Sequence, residues 1–476
     1  MQHRKMYING AFTDAVSGAR LTTLNPSTGK AFGTAPMAGA EDVGLAVDAA
    51  RAAFPAWSAL PQAERSKYLL RIAERIRARA EEMAELEGLE HGTPYKDAFG
   101  VCMGAAAKFE WSASAASRLM GDQIPVPNPD TLSFLKREAV GVVGFIIPWN
   151  LPTIMTAVKL APALAVGNTC VLKPPSVNSL IGLKFAEVIA EAELPPGVVN
   201  VITGSGGVAG AALASHPGVD MVGFTGSSET GKAILSLAAP TVKKCVMELG
   251  GNNPVLIYPD ADIDAAIKVL AWRQFNNSGQ HCSGPGRYYV HESVFDEFRD
   301  KFSAYARTLK VGDPSKDKAV DMGPLVSGEH RDKVLGYIES AVSEGAEIVC
   351  GGKALSPGFF LEPTVLANCK HTMKAAREEI FGPVAVLIKY SGDDDIVPLA
   401  NDSSYGLCAH VWTRDVSRGL KLVDRLHVGA VFVNCQMLTD EQPWGTSIRE
   451  SGIGKEGGVY GMEEFTDQKL VCVNYT

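Results

Sequence analysis

The feature of this sequence most able to do chemistry is a cysteine in a glycine-rich stretch. Cys282 lies in FNNSGQHCSGPGR (275–287). Glycines leave room for a small ligand to approach the backbone, and they let backbone N–H groups point inward as donors. A thiol in that setting is a candidate nucleophile. The alternative is an inert, buried cysteine in a tight loop, and this stretch alone does not decide between the two.

A second candidate is Glu248, in the run MELGG (247–251). The run ends a predicted strand in two glycines, so the carboxylate is expected where a sheet opens. A carboxylate in that place could act as a general base. The alternative is a glutamate that caps a helix or forms an ion pair.

A third stretch, FTGSSETG (224–231), predicts a strand, a glycine turn and the start of a helix. Backbone N–H groups and the helix dipole at such a turn suit a phosphate. The stretch does not match G-x-G-x-x-G, so that dinucleotide motif does not apply directly. An ordinary strand–helix turn explains it equally well, and the upstream run GSGG (204–207) is interpreted as a turn.

Glu379 and Phe381 lie two residues apart in EEIFGPV (378–384), before a predicted strand. In an extended segment both side chains would point the same way. A carboxylate can bind sugar hydroxyls, and an aromatic ring can pack against a flat heterocycle. The alternative is a solvated glutamate and a core phenylalanine.

Alternating strands and helices position these residues. The predicted strands of the first half are 144–147, 169–172, 198–202, 221–224 and 245–249, with helices between them. Such alternation predicts βαβ units and a parallel sheet, which binds ligands at the carboxyl ends of its strands. Asn150, Lys173 and Glu248 fall at those ends. A second α/β segment is predicted from helices 263–275 and 294–309 and strands 288–290, 347–349, 385–389, 409–412 and 430–434.

The flanking regions are less regular. Residues 1–40 predict short strands and turns, and a helix follows Pro61, with Leu69, Ile72, Ala73 and Ile76 on one apolar face. Another helix is predicted over 105–119. Strands are predicted over 131–137 and 139–147, separated by a charged break at 136–138. The end of the chain, 469–475, alternates like an edge strand whose partner is either the early hairpin or another subunit.

Composition limits the possible functions. A chain of 476 residues is too long for one ordinary core, so two or more domains are expected. A net charge of −8 argues against nucleic-acid binding. Nine cysteines without a C-x-x-C pair argue against a structural metal site and favour reduced thiols, hence a cytoplasmic protein. No signal peptide is expected, and the most apolar region, 139–172, is too interrupted to span a membrane.

Together these stretches resemble the aldehyde dehydrogenase superfamily over nearly the whole chain. The matching pieces are PWN (148–150), KP (173–174), FTGSSETG (224–231), ELGG (248–251), GQHC (279–282), EIFGP (379–383) and SGIG (451–454). They occur in the family's order with similar separations. A single match is weak, whereas the ordered set is specific.

The resemblance implies that an aldehyde is oxidised to a carboxylic acid with NAD(P)+. Cys282 would attack the carbonyl, and the Asn150 amide with the Cys282 backbone N–H would form the oxyanion hole. Hydride transfer would leave a thioester, which Glu248 would hydrolyse by activating water. A CoA-acylating relative is an alternative, against which Glu248 counts, and a catalytically silent protein on this fold is another.

The resemblance also implies the binding residues. Glu379 would hold the nicotinamide ribose beside Phe381, and Lys173 the adenine-side ribose. The cofactor set is Ile147, Pro148, Trp149, Lys173, Ser176, Gly206, Phe224, Thr225, Gly226, Ser227, Gly231, Leu249, Glu379 and Phe381. The substrate pocket is Trp111, Leu151, Met155, Val158, His281, Ser283 and Trp444. No metal is expected.

Ser176 bears on the choice of cofactor. It occupies the place where NAD-preferring relatives often carry Glu. Serine lacks the charge that repels a 2′-phosphate, and Lys173 could pair with that phosphate. NADP is therefore expected to be usable alongside NAD.

The expected substrate is an uncharged aldehyde, aromatic or of medium chain length. Most of the implied pocket is apolar, and Gln442 stands where relatives that take semialdehydes often place Arg. Asp440 and Glu441 would repel an anion if they face the channel. The alternative is a carboxylate-bearing semialdehyde, reached by Arg118 or Arg449, although both are expected to be structural.

The fold implied by the resemblance has three parts. They are a Rossmann-like cofactor domain (1–119 and 139–249), an α/β catalytic domain (250–465) and a small β oligomerisation flap (120–138 and 466–476), in a homodimer or homotetramer. His281 either lowers the thiol pKa as an imidazolium or only packs, and packing is favoured. No function follows for Asn252, where the family often has Lys.

Overall fold

A mostly parallel sheet forms the first half of the computed structural model, which describes residues 1–392, 396–445 and 447–476. In spatial order its strands are Gly452–Ile453, Lys244–Glu248, Met221–Thr225, Val142–Ile146, Thr169–Lys173, Val199–Val201, Met6–Ile8 and Ala11–Thr13. The central five run parallel, and the outer pairs are antiparallel. The predicted parallel sheet is confirmed. Its register aligns Thr225 with Glu248 and Ile146 with Lys173 at the carboxyl ends.

Helices pack on this sheet or on the helices that cover it, and each buries apolar residues. They are Ala40–Ala59, Gln62–Ala78, Ala80–Glu90, Tyr95–Ala115, Pro152–Ala165, Ser179–Glu191, Ala211–Ser215 and Ser228–Ala238. The predicted apolar face of the second is confirmed, since Leu69, Ile72 and Ile76 are fully buried. The fourth begins at Tyr95 rather than at residue 105, directly after Pro94. No helix of the described residues has the length and apolar character needed to cross a membrane.

A second sheet carries the later part of the chain. Its strands, in spatial order, are Glu347–Cys350, Thr364–Cys369, Val384–Tyr390, Pro285–His291, Asn253–Ile257, Cys408–Trp412 and Ala430–Val433. Its helices are Ile263–Phe275, Phe295–Thr308, Gly328–Ser343, Lys374–Arg377, Ile396–Asn401 and Val416–Val423. The strand Asn253–Ile257 is not evident from the sequence, because Pro254 is unusual within a central strand; the register shifts there.

The flap is a two-stranded antiparallel ribbon. Thr131–Ala139 pairs with Thr466–Asn474 along its whole length. The last strand therefore pairs with neither of the partners suggested by the sequence. The predicted break at 136–138 is also wrong, because these charged side chains point out of the ribbon and Lys136 pairs with Glu138.

The two predicted strands are separated instead at Gly141. Its φ is +137°, and a Cβ there would lie 2.0 Å from a carboxylate oxygen of Asp220. Glycine is needed where a chain adopts such a φ and another group approaches this closely. The ribbon and the first sheet are thereby separated at Gly141.

The segment 452–465 returns to the first sheet. Gly452–Ile453 pairs with Lys244–Glu248, helix Gly458–Glu463 follows, and Met462 and Phe465 join the core beneath the first sheet. This segment thus packs outside the catalytic domain to which the division at 250–465 assigned it. Two small sheets complete the described fold: Gln2–His3, Lys30–Pro36 and Arg20–Asn25, and the hairpin of Ala354–Leu355 with Phe360–Leu361.

Candidate active site

One cavity of about 210 Å³ contains both Cys282 and Glu248. Its apolar lining is Leu151, Ile154, Met155, Val158, Leu407, Ala430, Phe432, Leu438 and Trp444. Its polar lining is Lys108, Thr225, Glu248, Arg273, His281, Cys282, Ser283, Cys408 and Glu456. The expected nucleophile and base therefore face the same space, although they lie on different sheets.

Six of the seven predicted pocket residues line this cavity. They are Leu151, Met155, Val158, His281, Ser283 and Trp444. Trp111 does not, although Lys108 of the same helix, Tyr95–Ala115, does. Trp111 instead lines an adjoining pocket that shares Val158 and Trp444 with the cavity.

Backbone strain shapes the loop that holds Cys282. After helix Ile263–Phe275, three residues in a row, Asn277, Ser278 and Gly279, have φ of +51°, +56° and +71°. A Cβ on Gly279 would lie 2.2 Å from the backbone oxygen of Gly382, so only glycine fits. Such strained backbone clusters at functional sites, where the surroundings hold it in place.

Asn150 is tied to the same loop by two hydrogen bonds. Its side-chain amide donates to the backbone oxygen of Gln280 at 2.9 Å. Its own backbone oxygen accepts from the Asn277 amide at 2.8 Å, and Asn277 Oδ1 lies 3.0 Å from His91 Nε2. An amide nitrogen carries two N–H groups, so Asn150 retains one donor for a second acceptor.

Glu248 is buried, and only one of its two carboxylate oxygens has a hydrogen-bond partner among the described residues. Oε2 accepts a hydrogen bond from the Ser447 hydroxyl at 2.9 Å, whereas Oε1 is buried without a partner among the described residues. Burial and the neighbouring Glu456 raise the pKa of Glu248 well above its ordinary value, and Lys159 opposes them. A carboxyl group with a raised pKa in a cavity is a candidate acid–base catalyst.

The thiol of Cys282 is not activated by a lowered pKa. Burial raises the pKa of Cys282 to about 12, Glu379 and Glu248 add to the rise, and Arg273 opposes it. The group is thus a neutral thiol near pH 7, whereas the nucleophile is the thiolate. A base has to take its proton, and Glu248 lines the same cavity.

His281 is neutral rather than an imidazolium. Its Nε2 lies 3.0 Å from Asn276 Oδ1. Burial lowers the pKa of His281 well below its ordinary value, and the positive charge of Arg273 contributes to that shift. This favours the packing interpretation over activation of the thiol.

The predicted phosphate turn forms as expected at the end of strand Met221–Thr225. A Cβ on Gly226 would lie 2.3 Å from the Phe224 ring, so the turn requires glycine. Ser227 caps helix Ser228–Ala238 by accepting from the Thr230 backbone N–H at 3.3 Å. A Cβ on Gly231 would lie 2.6 Å from the side chain of Leu249, so Leu249 occupies the space that a side chain at position 231 would need.

Lys173 is a buried ammonium that fits a ligand. Its Nζ donates to the backbone oxygen of Pro174 at 3.0 Å, and no carboxylate within 1–392, 396–445 and 447–476 pairs with it. Burial lowers the pKa of Lys173 to about 8. Beyond it, Ser176 is exposed, and Gly206 opens a single π-helical turn, Gly206–Gly210, of the kind found at functional sites.

Glu379 and Phe381 flank the other side of the nucleophile loop. Glu379 Oε1 accepts from the Gly251 backbone N–H at 3.0 Å, and burial raises the pKa of Glu379 to about 7. The segment is not extended as expected, because Phe381 has a φ of +56°. That turn sets the Phe381 ring edge-on to Trp149, with centroids 5.4 Å apart. Of the other predicted cofactor residues, Ile147 is buried and Pro148 is half-buried.

Asn252 has a structural role that the sequence did not reveal. Its side-chain amide donates to the backbone oxygen of Ala376 at 2.9 Å. Its own backbone oxygen accepts from Nε and Nη2 of the buried Arg287. Asn252 therefore fixes the entry to the second sheet beside the cavity.

Arg273 is the lining residue that sequence reasoning missed. It lies in the last turn of helix Ile263–Phe275, and its Nη2 donates to the Ser283 hydroxyl at 2.5 Å. The sequence feature that could have identified it is a charged residue in the last helical turn before the loop that holds Cys282. Phe432 and Leu407 were missed because they come from distant parts of the chain.

Known proteins resemble this chain over its whole length. A model of the aldehyde dehydrogenase family matches residues 12–471. Betaine aldehyde dehydrogenase 1 of Oryza sativa subsp. japonica is 41% identical over 480 residues, covering 98% of this chain and 95% of that protein. Glutarate-semialdehyde dehydrogenase of Pseudomonas putida is 37% identical over 472 residues, covering 99% and 98%.

Solved structures agree. The crystal structure of an E. coli NADP dependent enzyme superposes with a TM-score of 0.97 at 37% identity, covering 100% of this chain and 98% of that one. The α/β fold with Rossmann-like and catalytic parts is thereby confirmed, and enzymes of this kind use NAD or NADP. The ordered motifs, the shared fold and the full-length match lead to one conclusion: this chain belongs to the aldehyde dehydrogenase family.

Proposed function

We propose that this NAD(P)-dependent aldehyde dehydrogenase works by the hydrolytic route, with Cys282 as nucleophile and Glu248 as base. The observation that carries the proposal is their shared cavity, in which Glu248 Oε1 has no partner among the described residues. Glu248 takes the thiol proton, and the sulfur bonds to the carbonyl carbon. The resulting oxyanion accepts hydrogen bonds from the Asn150 amide and the Cys282 backbone N–H.

The later steps regenerate the thiol. A bound NAD(P)+ would supply the hydride acceptor, so that the thiohemiacetal on Cys282 would be oxidised to a thioester. Glu248 then releases the thiol proton to solvent and takes a proton from a water molecule, whose oxygen attacks the thioester carbonyl. The carboxylic acid leaves, and the sulfur recovers a proton. The test is reduction of the nicotinamide with aldehyde present and CoA absent; turnover only after CoA is added would instead identify a CoA-acylating enzyme.

The residues present fit the cofactor. Lys173 offers a buried ammonium to the adenine-side ribose, Gly226 leaves space at the end of its strand, and Ser227 begins a helix that suits a phosphate. Glu379 and Phe381 lie where they would hold the nicotinamide ribose and border the ring.

We expect NADP to be used alongside NAD. Ser176 is exposed just beyond strand Thr169–Lys173, so a 2′-phosphate there would meet no carboxylate and would lie near Lys173. The values of kcat/KM for the two cofactors should lie within about tenfold, and Ser176→Glu should move the ratio toward NAD by about tenfold or more. A wild-type preference for NAD above about a thousandfold would contradict this expectation.

The pH dependence should follow Glu248. Since burial and Glu456 raise its pKa, the carboxyl group is protonated, and unable to act as a base, at pH values where an ordinary glutamate is ionised. We therefore expect kcat to rise with pH, with an apparent pKa above about 6, against about 4.3 for a free glutamate. A rise complete by about pH 5 would show that another group limits turnover.

The polar residues on which the prediction of an uncharged substrate rested do not line the cavity. Gln442 and Glu441 are exposed and do not line the cavity. Asp440 forms an ion pair with Lys108 at the adjoining pocket, and Arg118 and Arg449 are both exposed. The apolar lining supports an aliphatic or aromatic body of medium length, whereas its charge preference depends on the remaining groups of the cavity.

The association state and compartment are proposed on surface features. Leu132, Leu470, Val473 and Tyr475 are exposed on the ribbon, which supports a homodimer or homotetramer joined there. All nine cysteines are free, which supports the cytoplasm as the compartment.

A further inference from the structure

Arg273 differs from Lys108, the lysine that lines the same cavity, because it has no counterion among the described residues. Lys108 pairs with Asp440 and Glu456 pairs with Lys159. Among the described residues no carboxylate lies within ion-pair distance of Arg273.

The guanidinium is also incompletely hydrogen bonded. Nη2 donates to the Ser283 hydroxyl, and Nε is buried without a partner in the described part of the chain. A partly buried cation that lacks a counterion and has a buried Nε without a partner is costly to keep. A ligand carboxylate would supply both the counterion and the missing hydrogen-bond acceptor, since a guanidinium binds two carboxylate oxygens side by side.

The position of Arg273 fixes which part of a substrate it could meet. Its partner Ser283 directly follows Cys282, so an aldehyde bonded to the sulfur would lie within the same cavity. The same cavity is lined by apolar residues such as Leu407, Phe432 and Leu438, which suit a methylene spacer. An aldehyde with a cationic far end would be repelled.

We propose that Arg273 binds the carboxylate of the substrate and that the enzyme prefers an aldehyde with a carboxylate at its far end over a neutral or cationic aldehyde. This inference rests on the proposed function, because the aldehyde end has to react at Cys282. It assigns to Arg273 the role that sequence reasoning sought in Arg118 or Arg449.

A rival role for Arg273 is electrostatic. Its charge lowers the pKa of Cys282, so it could serve the thiol alone. That role would affect every aldehyde alike and would shift the pH profile. Binding a carboxylate would affect only anionic substrates and would act mainly through KM.

The test compares glutarate semialdehyde, pentanal and betaine aldehyde as anionic, neutral and cationic substrates. For the wild type we expect kcat/KM to be at least about tenfold higher for the semialdehyde than for the other two. Arg273→Gln should lower the semialdehyde value by about a hundredfold and that of pentanal by less than about threefold. The kcat/KM of Arg273→Lys for the semialdehyde should lie between the values of the wild type and Arg273→Gln, because lysine keeps the charge but loses the planar fork. Arg299→Gln removes one charge from the exposed surface and is the matched control.

Two results would overturn the proposal: an equal loss for the anionic and neutral substrates, or no wild-type preference for the semialdehyde. A wild type that oxidises none of the three would refute the proposed function itself.

A measurement on the wild type keeps the test independent of variant folding. Glutarate, which has no aldehyde, should compete with pentanal oxidation, and its diamide should not. Equal inhibition by both, or by neither, would contradict binding of a carboxylate.

Discussion

Cys282→Ala is expected to lower kcat for aldehyde oxidation by at least about a thousandfold while leaving the Kd of the cofactor within about twofold. No covalent intermediate can form without the sulfur. The alanine should not disturb the loop, because its shape depends on the left-handed residues Asn277 and Gly279 and on the bond from the Asn253 amide to the Cys282 backbone oxygen. Turnover is measured from nicotinamide reduction, and cofactor binding by calorimetry.

The cavity offers its own comparison, because Cys408 is a second thiol in its lining. Cys408 is buried, and burial raises its pKa above the ordinary value of a thiol. Cys408→Ala should keep kcat within about tenfold of the wild type. If Cys282→Ala stays within that range and Cys408→Ala does not, the nucleophile has been assigned to the wrong thiol.

The elements that could be predicted from the sequence are those whose pattern is local. The helix at Gln62–Ala78 repeats apolar residues at helical spacing, and the strands ending at Lys173 and Glu248 are short apolar runs with polar ends. Pairing over long separations leaves no such pattern. Thr466–Asn474 joins a strand more than three hundred residues earlier, and Gly452–Ile453 completes the first sheet from the far end of the chain.

The site residues can be divided in the same way, into those with a local sequence pattern and those without one. Cys282, Asn150 and Glu248 could be identified because each stands in a distinctive run of glycines or at a strand end. Arg273 could not, since helical periodicity does not tell whether a partly buried arginine faces solvent or a cavity. Gln442 stood in a recognisable place, yet its loop points it outward.

The environment of Glu248 would let one carboxylate serve both of the proposed steps. It is almost fully buried, which raises its affinity for a proton, while the neighbouring Glu456 is held by the buried Lys159. A base whose pKa lies nearer to neutrality can accept a proton from a thiol or a water molecule and release it again. The two uses differ in one respect: a thiol can also lose its proton to solvent at high pH, whereas water needs the base throughout.

Glu248→Gln is therefore expected to slow thioester hydrolysis more than hydride transfer. Steady-state kcat should fall by about a hundredfold or more, whereas a burst of about one reduced cofactor per active site should remain, slowed at neutral pH because the thiol has lost its base but still faster than steady-state turnover. Glutamine keeps the size of the side chain and can still bond to Ser447, so the cavity should survive. Stopped-flow absorbance gives the burst, and intact mass spectrometry should find the acyl group on the protein after it.

Raising the pH separates the two uses of Glu248 in this variant. The burst rate should increase toward the pKa of Cys282, because the thiol then ionises without a base, while the slow phase should change much less. Cys282→Ala in the same background should abolish both the burst and the acyl adduct. If single-turnover hydride transfer is lost as completely as overall turnover at every pH, Glu248 does not act chiefly in hydrolysis, and the assignment of the deacylating base to this residue fails.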